Sequence, residues 1–521
     1  MRNVFSAACS VIFAVAVLSG ARADVRLPKI FTDDMMIQRD QPVRVWGWAE
    51  PGEPVKVSLA GKESAVRADE KGCWRVELPA LKEGANLELS VAGKNTIVLK
   101  NVIVGDLWVC SGQSNMEFAL NGALNGAEDV KAADFPGIRR IRFNHATSAY
   151  PEEDAPASGP WQVCSPKTAG GFTAVGFYFA REIHQKTGVP IGILDDNWGG
   201  TPIEPWTPVE GIGQVANFQK VIADREKAFS AYQAGLPQAM DGMEKWIAQT
   251  REAIRKGERI LPAPNLPAHP WASGWCTMYN AMIHPLVRFP IKGAIWYQGE
   301  SNGGEGDSYY DKMCALIGGW RKNWGIGDFP FYFVQLANYQ KSGDSPAGGD
   351  GWSRLRAAQL KALSIPNTGM AVIIDIGAAG DIHPKNKYDV GVRLSRWALA
   401  RDYGQKELVV SGPLFREMKI EGDKAILLFD HTGTGLMVGK KSGRSPVEEE
   451  KDGKLKWFAV AGADKKWEWA DAMIQGNTVV VSSPGVKAPV AVRYAFFHNP
   501  EGANLYNREG LPASPFRTDN W

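Results

Sequence analysis

Two periodicities divide the chain. Residues 24–100 alternate apolar and polar positions and break at turn chemistry. PVRVWGWAEPGEPVKVSLAG holds two β-type runs around a Pro-Gly turn, and GCWRVELPALKEGANLELSVAG holds two more. Strands this short and closely spaced predict a small β-sandwich. From about residue 101 the pattern changes, and apolar strand-like runs alternate with helical ones: VIVGDLWVC, VGFYFAREIHQKTG, IGILDDNWGG, GAIWYQGESN, FPFYFVQLANYQ and GMAVIIDIG. That order predicts an α/β fold, a parallel sheet with helices on both faces, and the strand runs are apolar on both sides as such burial requires.

Residues 208–272 interrupt the alternation. A charged, mostly helical stretch (ADREKAFSAYQAG, MEKWIAQTREAIRKGERI) leads into the Pro-rich LPAPNLPAHPW. It reads as an insertion over the sheet's edge or, equally, as a solvated helical hairpin. After Tyr403 the chain is β-rich again (KAILLFD, KWFAVAG, NTVVVSS, VAVRYAFF), which predicts a C-terminal β-region packed on the central layer. The expected units are 24–100, 101–405 with its 208–272 insertion, and 406–521, in keeping with a chain too long, at 521 residues, for one typical domain.

The first 23 residues belong to none of these. Arg2, an apolar run and Ala21-Arg22-Ala23 follow the order of a secretory signal peptide, with cleavage expected after Ala23 and the mature chain secreted or periplasmic. Its loss removes Arg2 and Arg22 and no acid, leaving 57 basic against 57 acidic residues. A balanced chain without a basic stripe argues against nucleic acid, and no later run is long enough to span a bilayer. Cys73, Cys110, Cys164, Cys276 and Cys314 are odd in number and widely spaced, so they form neither a disulfide framework nor a C-x-x-C zinc site; one bridge is allowed.

In open α/β sheets ligands sit beyond the carboxyl ends of the strands, so the residues that follow each strand are the ones to weigh. After DLWVC comes SGQSNM with Ser114. After IGILDDN come Trp198, Gly199, Gly200 and Thr201. After GAIWY come Gln298, Gly299, Glu300, Ser301 and Asn302, and after GMAVIID comes a small-residue turn leading to Asp381-Ile382-His383. Singly, each is an ordinary turn feature; together at one end of one sheet they are the parts of a serine esterase. A serine hydroxyl needs a base that titrates near neutrality, and the imidazole needs a carboxylate on its other nitrogen. Of the seven histidines, His383 alone stands beside a carboxylate at a strand end. That carboxylate is Asp381 or, at the end of its strand, Asp375. The oxyanion needs donors, which the Ser114 and Gly200 amides and a neutral side-chain amide can supply; Gln298 fits better than Glu300, and Asn302 is the reserve. Glu117 and Glu300 read as ligands for substrate hydroxyls or as helix-start residues. Trp198, Trp206, Trp296 and Tyr297 read as sugar-stacking rings or as core. No metal or organic cofactor is required.

GDLWVCSGQSNM, NWGGTPIEPW, MYNAMIHPL, IKGAIWYQGESN and DIHPKNKYDVGVRL, in that order, resemble the sialate O-acetylesterase family of SGNH-type serine hydrolases. The resemblance covers roughly residues 24–520. It implies a flavodoxin-like sheet flanked by β-rich regions, an O-acetylated carbohydrate as substrate, Ser114 as nucleophile, His383 as base, and a glycine of NWGG as the second oxyanion donor; from the residues themselves, Trp198, Glu300 and Asn302 are the candidate substrate contacts. Two features depart from the wider superfamily: Asp381 stands two residues before His383 rather than three, and QGESN replaces G-x-N-D. Related esterases act on acetylated xylan and other plant glycans. A noncatalytic sugar-binding protein is the remaining alternative.

Overall fold

The computed structural model describes residues 24–82 and 84–521, so the expected signal peptide lies outside the described residues. One long strand, β1 (Thr96–Gly112), organises what is described. Its first half pairs antiparallel with Gly84–Ala92 in the leading β-layer; its second half lies inside a parallel sheet. The change of pattern near residue 101 therefore falls within a single continuous strand. The leading layer also holds Met36–Gln38, Pro54–Leu59 and Lys62–Arg67, with Val43–Trp48 and Cys73–Leu78 forming a separate pair.

The parallel sheet adds β2 (Phe135–Arg142), β3 (Ile191–Asn197), β4 (Gly293–Tyr297), β5 (Phe331–Val334) and β6 (Thr368–Ala371), in the order β6-β5-β4-β1-β3-β2. Gln162–Cys164 closes the β2 edge antiparallel. Both faces are covered. Leu107, Val109, Trp296 and Phe333 enter a core shared with Val45 and Trp46 of the leading layer, while Trp108, Cys110, Ile295 and Tyr297 point the other way, among Phe177, Phe179 and Leu394. The last three come from α2 (Ala174–Thr187) and α4 (Lys387–Arg401). The hydroxyl of Thr173 caps α2 by accepting from Gly176 N–H, left-handed Gly188 ends it, and the Asn386 side chain caps α4.

The 208–272 segment differs from a helical hairpin. It is dominated by one helix, α3 (Gln219–Lys256), with 38 residues and none buried. The Pro-rich segment returns along it, where Trp246 Nε1 donates to Leu261 O at 2.8 Å and the His269 ring meets Phe229 and Tyr232. Prolines deny that return strand the donors a second helix needs. The C-terminal region is antiparallel β with a core of its own. It is pinned to the central layer by Arg356, which donates to Phe497 O and His498 O, and by the Lys441–Asp389 and Arg444–Asp129 ion pairs.

The chain lays β2 and β3 on one side of β1 and β4, β5 and β6 on the other. The carboxyl end of β1 is thus the topological switch point, where crevices form in such sheets. Gly112 ends the strand there at φ +133, and a Cβ at that position would lie 2.2 Å from Tyr297 O. Only glycine fits. Gly112→Ala is expected to cost about 2–4 kcal/mol of unfolding free energy, read by urea denaturation.

Candidate active site

Register brings three strand ends together. Asn197 and Tyr297 both lie opposite Gly112, so the segments after β3 and β4 flank the turn after β1. Trp198 N–H donates to Gly112 O and Gln113 N–H to Tyr297 O, each at 3.0 Å, which locks the turn on both sides. Ser114 begins the one-turn helix α1 (Ser114–Glu117). Its amide is a first-turn donor with no intrahelical acceptor, and the described residues offer it none. Gly199 packs so closely that a Cβ there would lie 3.2 Å from Ser114 Cβ. The Gly199 amide itself is spent, donating to Glu117 Oε2 at 2.7 Å. Gly200, at φ +75 with open space at its Cβ position, has an amide with no acceptor among the described residues.

His383 arrives from the far edge of the sheet. Its Nε2 lies 2.8 Å from Ser114 Oγ, although 269 positions separate the two residues. Asp381 Oδ1 stands 3.6 Å from His383 Nδ1 and accepts the His383 backbone N–H at 2.8 Å. At 3.6 Å the carboxylate acts on the ring through its charge, while its short hydrogen bond shapes the turn. Asp375 is committed elsewhere: both of its oxygens are taken by Arg393, at 2.6 and 2.8 Å.

The third strand end differs from the sequence expectation. Gln298 is fully buried, and its Nε2 faces Asn302 Oδ1 at 2.8 Å, Gln113 Oε1 at 3.2 Å and Thr201 O at 3.2 Å, while Oε1 accepts from Tyr309. Two hydrogens with three internal acceptors leave no donor for an oxyanion. Asn302 is similarly spent on Glu204, Glu305 and Ile203 N–H. Both amides brace the cleft's floor because a buried polar group is costly unless paired, and the nearest partners are each other. The Glu300 carboxyl is buried beneath the turn, accepts from Asn115, and has its pKa raised by that burial. Trp206, Trp296 and Tyr297 belong to the core. Trp198 remains half-buried beside the cleft.

Sequence reasoning missed four residues. Arg142 and His145 come from the end of β2, whose FPGIRRIR does not read as an apolar run. The strand buries its arginines by pairing them: Arg140 Nε donates to Asp195 at 2.7 Å and Arg139 to backbone carbonyls. Beyond it, Arg142 and His145 hold Glu117 Oε1 at 2.6 and 3.1 Å, and the His145 ring stacks on Trp198 with centroids 4.5 Å apart. Asn115 and Lys387, inside quoted motifs, link Ser114's turn to the His383 segment.

The family model for carbohydrate esterases described as sialic acid-specific acetylesterases matches residues 104–239 and 266–396. The rat sialate O-acetylesterase is 30% identical over 93% of each chain, and the human one 27% over 94% of this chain and 92% of its own. Among solved structures, a carbohydrate acetylesterase from Xanthomonas citri is 38% identical with a TM-score of 0.79, covering 95% of this chain and all of its own. The likeness to these relatives extends across the leading and C-terminal β-regions, whereas the family model covers the sheet-bearing part of the chain alone.

The role of Gln298 as a brace makes a definite prediction. Gln298→Ala takes from the Tyr309 hydroxyl its 2.6 Å side-chain acceptor and from Asn302 Oδ1, Gln113 Oε1 and Thr201 O a shared donor, and is expected to lower unfolding free energy by about 1–3 kcal/mol in urea melts.

Proposed function

The chain belongs to the sialic acid-specific acetylesterase family of carbohydrate esterases, and from that premise we propose that it removes O-acetyl groups from sugars by a Ser114–His383–Asp381 triad through an acetyl-enzyme. As a carboxylic ester hydrolase it has to make an unactivated oxygen attack an ester. The 2.8 Å approach of His383 Nε2 to Ser114 Oγ is the observation that carries the proposal.

Neutral His383, its Nδ1–H turned toward Asp381, accepts the Ser114 proton at Nε2 as Oγ bonds to the acetyl carbonyl carbon. Negative charge develops on the carbonyl oxygen, where the free amides of Ser114 and Gly200 are the available donors. Collapse breaks the bond to the sugar oxygen, which takes the proton from His383 and leaves. Water then attacks the acetyl-enzyme with His383 again as base, and acetate departs. In this reading Glu117 holds the Gly199 peptide so that Gly200 faces the oxyanion, and Trp198, supported by His145, offers an apolar ring to a pyranose face. Asp381 favours the imidazolium formed at each step.

The substrate class follows the relatives: O-acetylated sialic acid first, with acetylated xylan and related plant glycans as the alternative. Acetate release from 9-O-acetyl sialic acid, acetylated xylan and acetylated mannan distinguishes them; release from none would contradict the proposal. Ser114→Ala is expected to keep the fold and lose at least roughly 10³-fold in kcat. Labelling of wild type by a fluorophosphonate, confined to Ser114, checks the nucleophile independently. Residues 1–23 are proposed to export the chain; the N-terminus of exported protein should then read Asp24.

A further inference from the structure

The His383 segment has a long way to travel, and one buried cation stands where it lands. β6 is three strands from β1, a lateral separation of roughly 14 Å at the usual strand spacing. Residues 372–386 cross that gap over the ends of β5 and β4. Their start is fixed by Arg393, which holds Val372 O and Asp375, and their middle by Asn338 Oδ1 on Gly377 N–H and by Ala379 O on Gln340 N–H. Next to the histidine, the carbonyl of Ile382 accepts from Asn115 Nδ2 at 3.0 Å. Asn115 is the residue after the nucleophile, so this bond ties base and nucleophile directly.

We propose that Lys387, acting through Asn115, is a positioning residue that holds the His383 segment on Ser114. The inference rests on the Ser114–His383 reading above. Lys387 is the first residue of α4, where a cation opposes the helix dipole, and it is fully buried. Neither placement favours stability. Its ammonium forms no ion pair among the described residues; it donates to Asn115 Oδ1 and lies against the Phe118 and Tyr297 rings, 4.9 and 5.3 Å from their centroids. The Asn115 amide is fully assigned by its neighbours. Oδ1 takes the ammonium, and the two N–H groups serve Glu300 Oε1 and Ile382 O. An amide carries its acceptor and donors on opposite sides, so a cation on Oδ1 dictates that donors face the segment. Without it, a flipped Asn115 would set its carbonyl against a carbonyl and a carboxyl, and the anchor would break.

The charged and titratable groups facing Lys387 are Glu300 from the turn after β4, Asp381 from the His383 segment and the buried Tyr297 hydroxyl from β4. Burial lowers the Lys387 pKa to about 7 against the pull of Glu300 and Asp381, and burial raises that of Tyr297 well above its ordinary value. The ammonium is therefore present below about pH 7 and lost as pH rises through it, which gives the anchor a pH signature.

The test compares wild type with Lys387→Met for fluorophosphonate labelling of Ser114, for kcat and KM against pH, and for cooperative thermal melting. The expected result is a folded variant that labels roughly 100-fold more slowly, with kcat reduced, KM little changed, and no decline of kcat above pH 7 beyond its lowered level. A folded variant that labels at the wild-type rate, or that keeps the alkaline decline of wild type, would overturn the proposal. If Lys387→Met does not melt cooperatively, Lys387→Met/Glu300→Gln removes the charges together and is judged by the same outcomes. Wild type that fails to label at all would overturn the Ser114–His383 reading itself, whereas normal labelling of the variant would overturn only the role of Lys387.

Discussion

A proton can pass between Ser114 and His383 only if two segments 269 positions apart stay within 2.8 Å. One rides on the central strand of the sheet and the other starts at its edge. The molecule meets this constraint asymmetrically. The Ser114 turn is held by Gly112 against β4 and by Gln113 and Trp198 across the strands, whereas His383 sits on a span secured at intervals. Asp375, Asn338 and Asn115 are the successive anchors, each matching a buried polar group to a main-chain or cationic partner. The Oγ–Nε2 hydrogen bond, worth about 1 kcal/mol net, is too weak to hold the two segments together by itself.

Burial explains how charged groups are distributed around the cleft. Deep groups are paired or have their ionisation shifted: Asp195 with Arg140, Asp375 with Arg393, Lys387 near Glu300 through Asn115. Groups at the mouth, His383 and Asp381, keep more than a third of their side chains exposed. In the proposed mechanism His383 gains and loses a proton each turnover, and this exposure keeps it in contact with water while Asn115 and Asn338, which anchor its segment, are buried. The acid two residues from His383, too far from the ring for a hydrogen bond, still holds the backbone of the same turn. It thus serves geometry and charge at once.

Much of this was legible in residue order. Apolar runs on both sides of each strand foretold a doubly covered sheet, and the polar clusters after them foretold which loops meet. What stayed hidden has physical causes. β2 did not read as a strand because its buried arginines are paired with groups distant in sequence, the Asp34 and Asn101 carbonyls and the Asp195 carboxylate, so Arg142 and His145 were not placed at the site. Gln298 looked like an oxyanion donor because a strand-end amide is well placed for that role; only its three-dimensional neighbours reveal that its hydrogens are consumed. At 208–272 the two stretches that read as helices join in one helix to Lys256, and the prolines alone signalled that the segment after it would be extended. Asn115 and Lys387 lay in plain view, but a lysine at a helix start reads as surface until its burial is known.

Covalent trapping tests the central claim most directly. Acid quenching of the enzyme during turnover of an acetylated sugar, followed by proteolysis and mass spectrometry, should find one acetyl group on the peptide containing Ser114, accumulating before the steady state. An acetyl group on another residue, or acetate release from Ser114→Ala at the wild-type rate, would contradict the account.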